Sequence, residues 1–168
     1  RTLAPHAAKE DGLLQHWNFG CSGCVFLRCV SAGSRTFPSQ AQEPGHKGWA
    51  ATSEFHHSLA MACLVDSCVL DDGWLAGNRG QWSEGAGHTS TGCVFWNCSG
   101  KGEISSWQFG SGYVIGTSGL SVSTTVSDKV SNALNVGTAP EDVVEGEGLG
   151  KFLEPASLYA AQYARRTR

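Results

Sequence analysis

The chain has 168 residues, among them 22 glycines, seven cysteines and six tryptophans, and 40% of it is hydrophobic against 16% charged. That suffices for one domain with its own core and is too apolar for disorder; a net charge of −3 lacks the basic footprint of a nucleic-acid binder. The longest run free of polar residues, Leu59 to Val65, is far too short to cross a bilayer, so no membrane partner is expected either.

The chain opens Arg1-Thr2-Leu3-Ala4-Pro5 without an initiator Met, which reads as a processed product or part of a longer chain whose signal peptide is gone. Next come three echoes of one phrase: Gly23-Cys24-Val25-Phe26-Leu27-Arg28-Cys29, Ala62-Cys63-Leu64-Val65-Asp66-Ser67-Cys68 and Gly92-Cys93-Val94-Phe95-Trp96-Asn97-Cys98. A weaker fourth copy is Gly112-Tyr113-Val114-Ile115-Gly116-Thr117, with Tyr113 aligned on Cys93. These spacings suit a stacked repeat. Each phrase is short, aromatic and β-branched between turn formers, as a strand is, and no segment between phrases has a long helical period. The reading is an all-β parallel β-helix (solenoid) over residues 1–118, its inward cysteines stacked tier on tier. A β-sandwich, with no shared phrase, ranks second. Residues 119–150 read as an irregular Ser/Thr/Gly-rich and acidic segment. Residues 151–168 read as a short C-terminal capping α-helix with proline at its start and arginines at its end, docked on the end of the stack by Leu158, Tyr159, Gln162 and Tyr163.

With the repeat in view, particular stretches gain weight: His57-Ser58-Leu59-Ala60-Met61, Asp72-Gly73-Trp74, Asn78-Arg79-Gly80, Gly87-His88-Thr89, Val94-Phe95-Trp96-Asn97-Cys98 and Gly112-Tyr113-Val114-Ile115-Gly116-Thr117, and towards the end Pro140-Glu141-Asp142-Val143-Val144-Glu145-Gly146 and Pro155-Ala156-Ser157-Leu158-Tyr159. Together they resemble the last coils and cap of secreted bacterial right-handed parallel β-helix proteins of the pectate-lyase-like superfamily. The resemblance spans roughly residues 12–168. It implies a right-handed coil, a secreted, extracellular location and a polysaccharide partner.

Chemistry concentrates between Asp71 and His88, which holds carboxylates, an arginine, a histidine and two tryptophans. A sugar-acid site needs aromatic faces, polar groups for hydroxyls and a cation for the uronate; Trp74, Asn78 and Trp82 are the candidate substrate contacts. In the group resembled, the base of eliminative cleavage is usually an arginine or lysine helped by calcium on clustered carboxylates. Arg79 is then the candidate base or carboxylate clamp, and Asp71, Asp72 and Glu84 the candidate Ca2+ ligands. The plainer reading makes Asp71-Asp72-Gly73 a turn and pairs Arg79 with Glu84 on the surface. His57 and His88 fall at nearly the same phase before Cys63 and Cys93, as a catalytic pair, a metal pair or a structural ladder; strand parity leaves the direction of His56 open. Equal spacing from the cysteines stacks Asp71 on Lys101.

Cys21 stands outside the repeat and makes a C-x2-C with Cys24, which Cys29 and His16 could complete as a zinc tetrahedron; the solenoid period of the other cysteines argues against it. Inter-tier disulfides such as Cys63–Cys93 and unbonded ladders remain equal alternatives. Asn97-Cys98-Ser99 has the form of a glycosylation sequon but reads as a turn. Two functions follow: lyase-like cleavage of an acidic polysaccharide, or a non-catalytic glycan-binding or structural solenoid on the same scaffold.

Overall fold

The computed structural model describes residues 16–17, 21–34, 52–56, 59–81, 87–125 and 141–168. The repeated phrases form short strands: β2 (Val25–Leu27), β5 (Leu64–Asp66), β8 (Val94–Trp96), β10 (Tyr113–Ile115) and, beyond them, β12 (Val143–Glu145). They lie in one sheet in the order β12-β10-β8-β5-β2. A second sheet takes β1 (His16–Trp17), β4 (Ser53–Phe55), β7 (Trp74–Gly77), β9 (Glu103–Trp107) and β11 (Ser121–Ser123) in chain order. A third, two-stranded ladder joins β3 (Val30–Ser31) to β6 (Val69–Leu70), and single bridges carry it on from Val69 to Ser99 and from Ser99 to Ser118. One helix, α1 (Leu158–Arg166), closes the chain. The described residues are therefore mostly β, built of parallel sheets with one short C-terminal helix. Every pairing between these strands is parallel, which removes the β-sandwich, an architecture of antiparallel strands.

Strand alternation explains the core. Register sets Phe26 beside Val65, Val65 beside Phe95, Phe95 beside Val114 and Val114 beside Val144, one apolar side chain per tier. Phe55, Trp74 and Ile104 point in from the second sheet, each at most 1% exposed. The Trp74 ring meets Phe26, Phe55 and Phe95 at centroid distances of 5.4, 5.5 and 6.1 Å. Burying each such ring stabilises the fold by about 1.5–3 kcal/mol. Cysteine columns flank this seam, with Cys24, Cys63 and Cys93 on one side and Cys29, Cys68 and Cys98 on the other. All seven thiols are free, Cys63 and Cys93 included. Burial pushes the Cys68 thiol up to about 12 and raises Cys98 as well.

Two sequence expectations need correction here. Tyr113 pairs with Val94, not with Cys93, so the fourth copy is one residue out. Gly112 takes the cysteine position because the Gln108 side chain and the Asp142 carboxylate fill the space: a Cβ at Gly112 would come within 2.0 Å of Gln108 Nε2. Asp142 accepts there from Ser106 Oγ (2.6 Å) and from the Gly112 amide (2.8 Å). Stacking also continues past residue 118, because β11 and β12 extend both main sheets; in the Ser-Val-Ser of β11 the small residues leave Val122 to pack against the core.

Each tier turns from β2, β5, β8 or β10 through a two-residue corner whose first residue is left-handed: Arg28 (φ 53), Ser67 (φ 56), Asn97 (φ 50) and Gly116 (φ 63). Each of their amides donates to the tier above or below, Arg28 to Asp66 O, Ser67 to Trp96 O, Asn97 to Ile115 O and Gly116 to Glu145 O, at 2.8–2.9 Å. A left-handed L-residue costs roughly 1–2 kcal/mol, which these stacked bonds offset. The C-terminal segment then runs back across this column. Leu153 packs on Gly116, Trp96 Nε1 donates to Pro155 O (2.8 Å), and Asn97 Nδ2 donates to Ala156 O (2.8 Å), with Ser67 Oγ 3.1 Å from the same carbonyl. Asp66, fully buried, ends the track by accepting from Ser157 Oγ (2.9 Å) and the Tyr159 amide (2.7 Å), a carboxylate at the start of α1. The helix thus attaches by its N-terminus to the middle tiers, with none of its residues buried, and Tyr159 and Tyr163 stack on one another in solvent rather than on the end of the stack.

Candidate functional site

The outward face of the second sheet carries the polar groups best placed for chemistry. In β4, Ser53 and Phe55 point in, so Glu54 points out; register carries that row from Glu54 to Leu75, Ser105 and Ser123. The Glu54 carboxylate lies between two partners. One oxygen meets His56 Nδ1 and the other lies 3.9 Å from Arg79 Nη1. The side chains are 14% (Glu54), 29% (His56) and 12% (Arg79) exposed, so the imidazole is the most exposed of the three. Burial lowers the pKa of the Arg79 guanidinium and Glu54 raises it again. Arg79 Nε, also buried, makes no hydrogen bond among the described residues.

Next to this cluster the indole of Trp107 lies against Gly77, its register partner. A Cβ at residue 77 would stand 2.8 Å from the ring carbons, so glycine is what lets the ring settle there. The indole N–H holds the backbone carbonyl of Asn78 at 3.2 Å. Further along the same face Ser105 Oγ donates to Glu103 at 2.7 Å.

The residues singled out from sequence fall in different places. Arg79 belongs to this cluster, facing Glu54; Glu84, its expected surface partner, lies outside the described residues, as do His57 and Trp82. Trp74 is a core ring, 1% exposed, and cannot offer a face to sugar. Asn78 is 5% exposed and spends its Oδ1 on the Gly80 amide (3.0 Å), holding the turn rather than a ligand. His88 is exposed, edge-on to Phe109 at 5.4 Å and 3.4 Å from Gln81 Nε2. Asp71 does stack with Lys101, but its carboxylate accepts the Lys101 backbone N–H (3.0 Å). Asp72 accepts from Ser31 Oγ (3.1 Å) and the Ser34 amide (3.0 Å). Both carboxylates tie one tier to the next. Among the described residues, which leave out Glu84, no three His, Cys, Asp or Glu side chains group as a metal site. The same holds for the Cys21, Cys24 and Cys29 set.

Glu54, His56 and Trp107 were not among the candidates read from sequence. One signal was available: in Ser53-Glu54-Phe55-His56 an aromatic separates two ionisable residues at strand period. Comparison of the chain with family models, with curated proteins and with solved structures gives no match.

Proposed function

We propose that the chain is a right-handed parallel β-helix of the pectate-lyase-like kind, secreted, and directed at an acidic polysaccharide that lies along the outer face of the β1-β4-β7-β9-β11 sheet. The coil reading is supported by strands that join the same sheets in turn, always parallel, since parallel crossovers are right-handed in nearly all proteins. The functional reading is carried by one observation, the Glu54 carboxylate set between His56 and Arg79.

With Nδ1–H donated to Glu54, the neutral imidazole of His56 carries its basic lone pair on Nε2. Facing a uronate, Nε2 removes the proton from the carbon beside the carboxylate. That C–H pair becomes a carbon–carbon double bond as the glycosidic C–O bond on the next carbon breaks, and the departing oxygen takes a proton from water. Arg79, always charged, clamps the carboxylate and stabilises the charge that develops on it. Trp107 gives the apolar face of a neighbouring sugar something to lie on.

The test is incubation with polyuronates, with added calcium and with chelator, followed by ultraviolet absorbance of unsaturated ends. Absorbance should appear, and His56→Ala should lower its rate by about 10²–10⁴-fold, the usual contribution of a general base. No absorbance from any polyuronate overturns the lyase reading. A non-catalytic glycan-binding module is the second reading, favoured by the near-burial of Arg79 against Glu54; it expects binding without product, weakened by Trp107→Ala.

A further inference from the structure

Six of the seven cysteines belong to the two columns; Cys21 does not, and it is where the thiols differ. Its Sγ lies 3.8 Å from Cys24 Sγ, two half-buried side chains three residues apart. The intervening turn passes through Ser22, which bridges to Met61, and through Gly23, left-handed at φ +65 with open space around it. Backbone bonds hold the turn at both ends: the Met61 amide donates to Cys21 O (3.0 Å) and the Gly23 amide to Met61 O (3.1 Å). We infer that Cys21 and Cys24 are a redox-active dithiol, a modification site that closes to an intramolecular disulfide on meeting a small-molecule disulfide such as oxidised glutathione.

Geometry separates this pair from the columns. Thiols of successive tiers project in parallel from strands about 4.8 Å apart, which exceeds the roughly 3.5–4.5 Å between Cβ atoms that a disulfide needs. Cys63, Cys68, Cys93 and Cys98 are also at most 1% exposed, out of reach of a reagent in water. Cys21 and Cys24 instead approach one another from two points of one turn, and rotation about their side-chain bonds shortens the gap. The Cys24 thiolate attacks a glutathione sulfur, forming a mixed disulfide and releasing one glutathione thiolate. The second thiolate attacks the protein sulfur of that mixed disulfide and releases the other. Two electrons pass from the protein to the reagent, and the two thiol protons end on the two glutathiones.

The experiment treats the whole folded chain with oxidised glutathione, blocks remaining thiols with N-ethylmaleimide in denaturant, and maps tryptic peptides by mass. Cleavage after Lys9 and Arg28 gives one peptide holding Cys21 and Cys24 but not Cys29. The expected result is that peptide lighter by two hydrogens and unlabelled, with the other five cysteines fully labelled. In Cys21→Ser the peptide should instead carry one glutathione on Cys24. Seven labelled thiols, a lasting glutathione adduct on the wild-type peptide, or a bond joining Cys24 to Cys63 or Cys63 to Cys93 would each overturn the assignment.

Discussion

Replacing Asp66 by alanine isolates what holds the C-terminal segment down. The carboxylate is 0% exposed and accepts from Ser67 Oγ, Ser157 Oγ and the Tyr159 amide. Water can replace it for the Ser67 hydroxyl, but Ser157 is only 8% exposed, so two donors lose a charged partner. At roughly 1.5–3 kcal/mol for each hydrogen bond to a charged group, Asp66→Ala costs about 3–6 kcal/mol. The loss falls on docking of residues 153–166, because the sheets beneath keep their own pairings. Hydrogen exchange at the Tyr159 amide should therefore quicken by about two to four orders of magnitude, each factor of ten being about 1.4 kcal/mol. Asp66→Asn, which keeps an acceptor, should lose about 1–2 kcal/mol. Exchange measured by mass spectrometry, with trypsin sensitivity at Lys151 and Arg165, reads the outcome. If Asp66→Ala leaves Tyr159 as protected as in the parent chain, the carboxylate is not the anchor and the argument fails.

Other outcomes follow from the same geometry. Phe95→Ala, at a fully buried ring touching Phe55 and Trp74, should lower stability in denaturant by about 3–5 kcal/mol. Gly77→Val should displace the Trp107 ring, costing about 1–3 kcal/mol through overpacking, and the cost should shrink in a Trp107→Ala background; equal costs in both backgrounds would contradict the contact. The Cys21 and Cys68 thiols are raised, first by burial, to about 11 and about 12. The folded chain therefore holds protons that the unfolded chain sheds near its ordinary thiol value of about 8.5. Their contribution to stability is complete below that pH and is lost as pH climbs towards 11–12. Melting temperature followed from pH 8 upward should fall over that window, and a Cys68→Ala variant should fall less.

The repeat was legible because cysteine marks it twice per tier, before and after an apolar residue that must face inward. That fixed the neighbours Phe26, Val65 and Phe95 without coordinates. The marker stops at Gly112, where the space belongs to Gln108 and Asp142, side chains from elsewhere in the sequence, and the alignment slipped by one. Trp74 and Trp107 show a second blind spot. Composition gives both the same aromatic value, yet strand parity buries one and turns the other outward. Glu54 lies in a strand that carries no phrase of its own, with His56 just past its end, and only pairing with β7 brings them to Arg79.

The two-residue corners at Arg28, Ser67, Asn97 and Gly116 never vary in length, whereas the connections around them run from three residues between β6 and β7 to twenty-one between β3 and β4. Insertions are thus confined to borders that the returning tail does not cross. Segments flanking the outer face are open to exchange or lengthening as replaceable parts, and the clasp of the tail would not register the change.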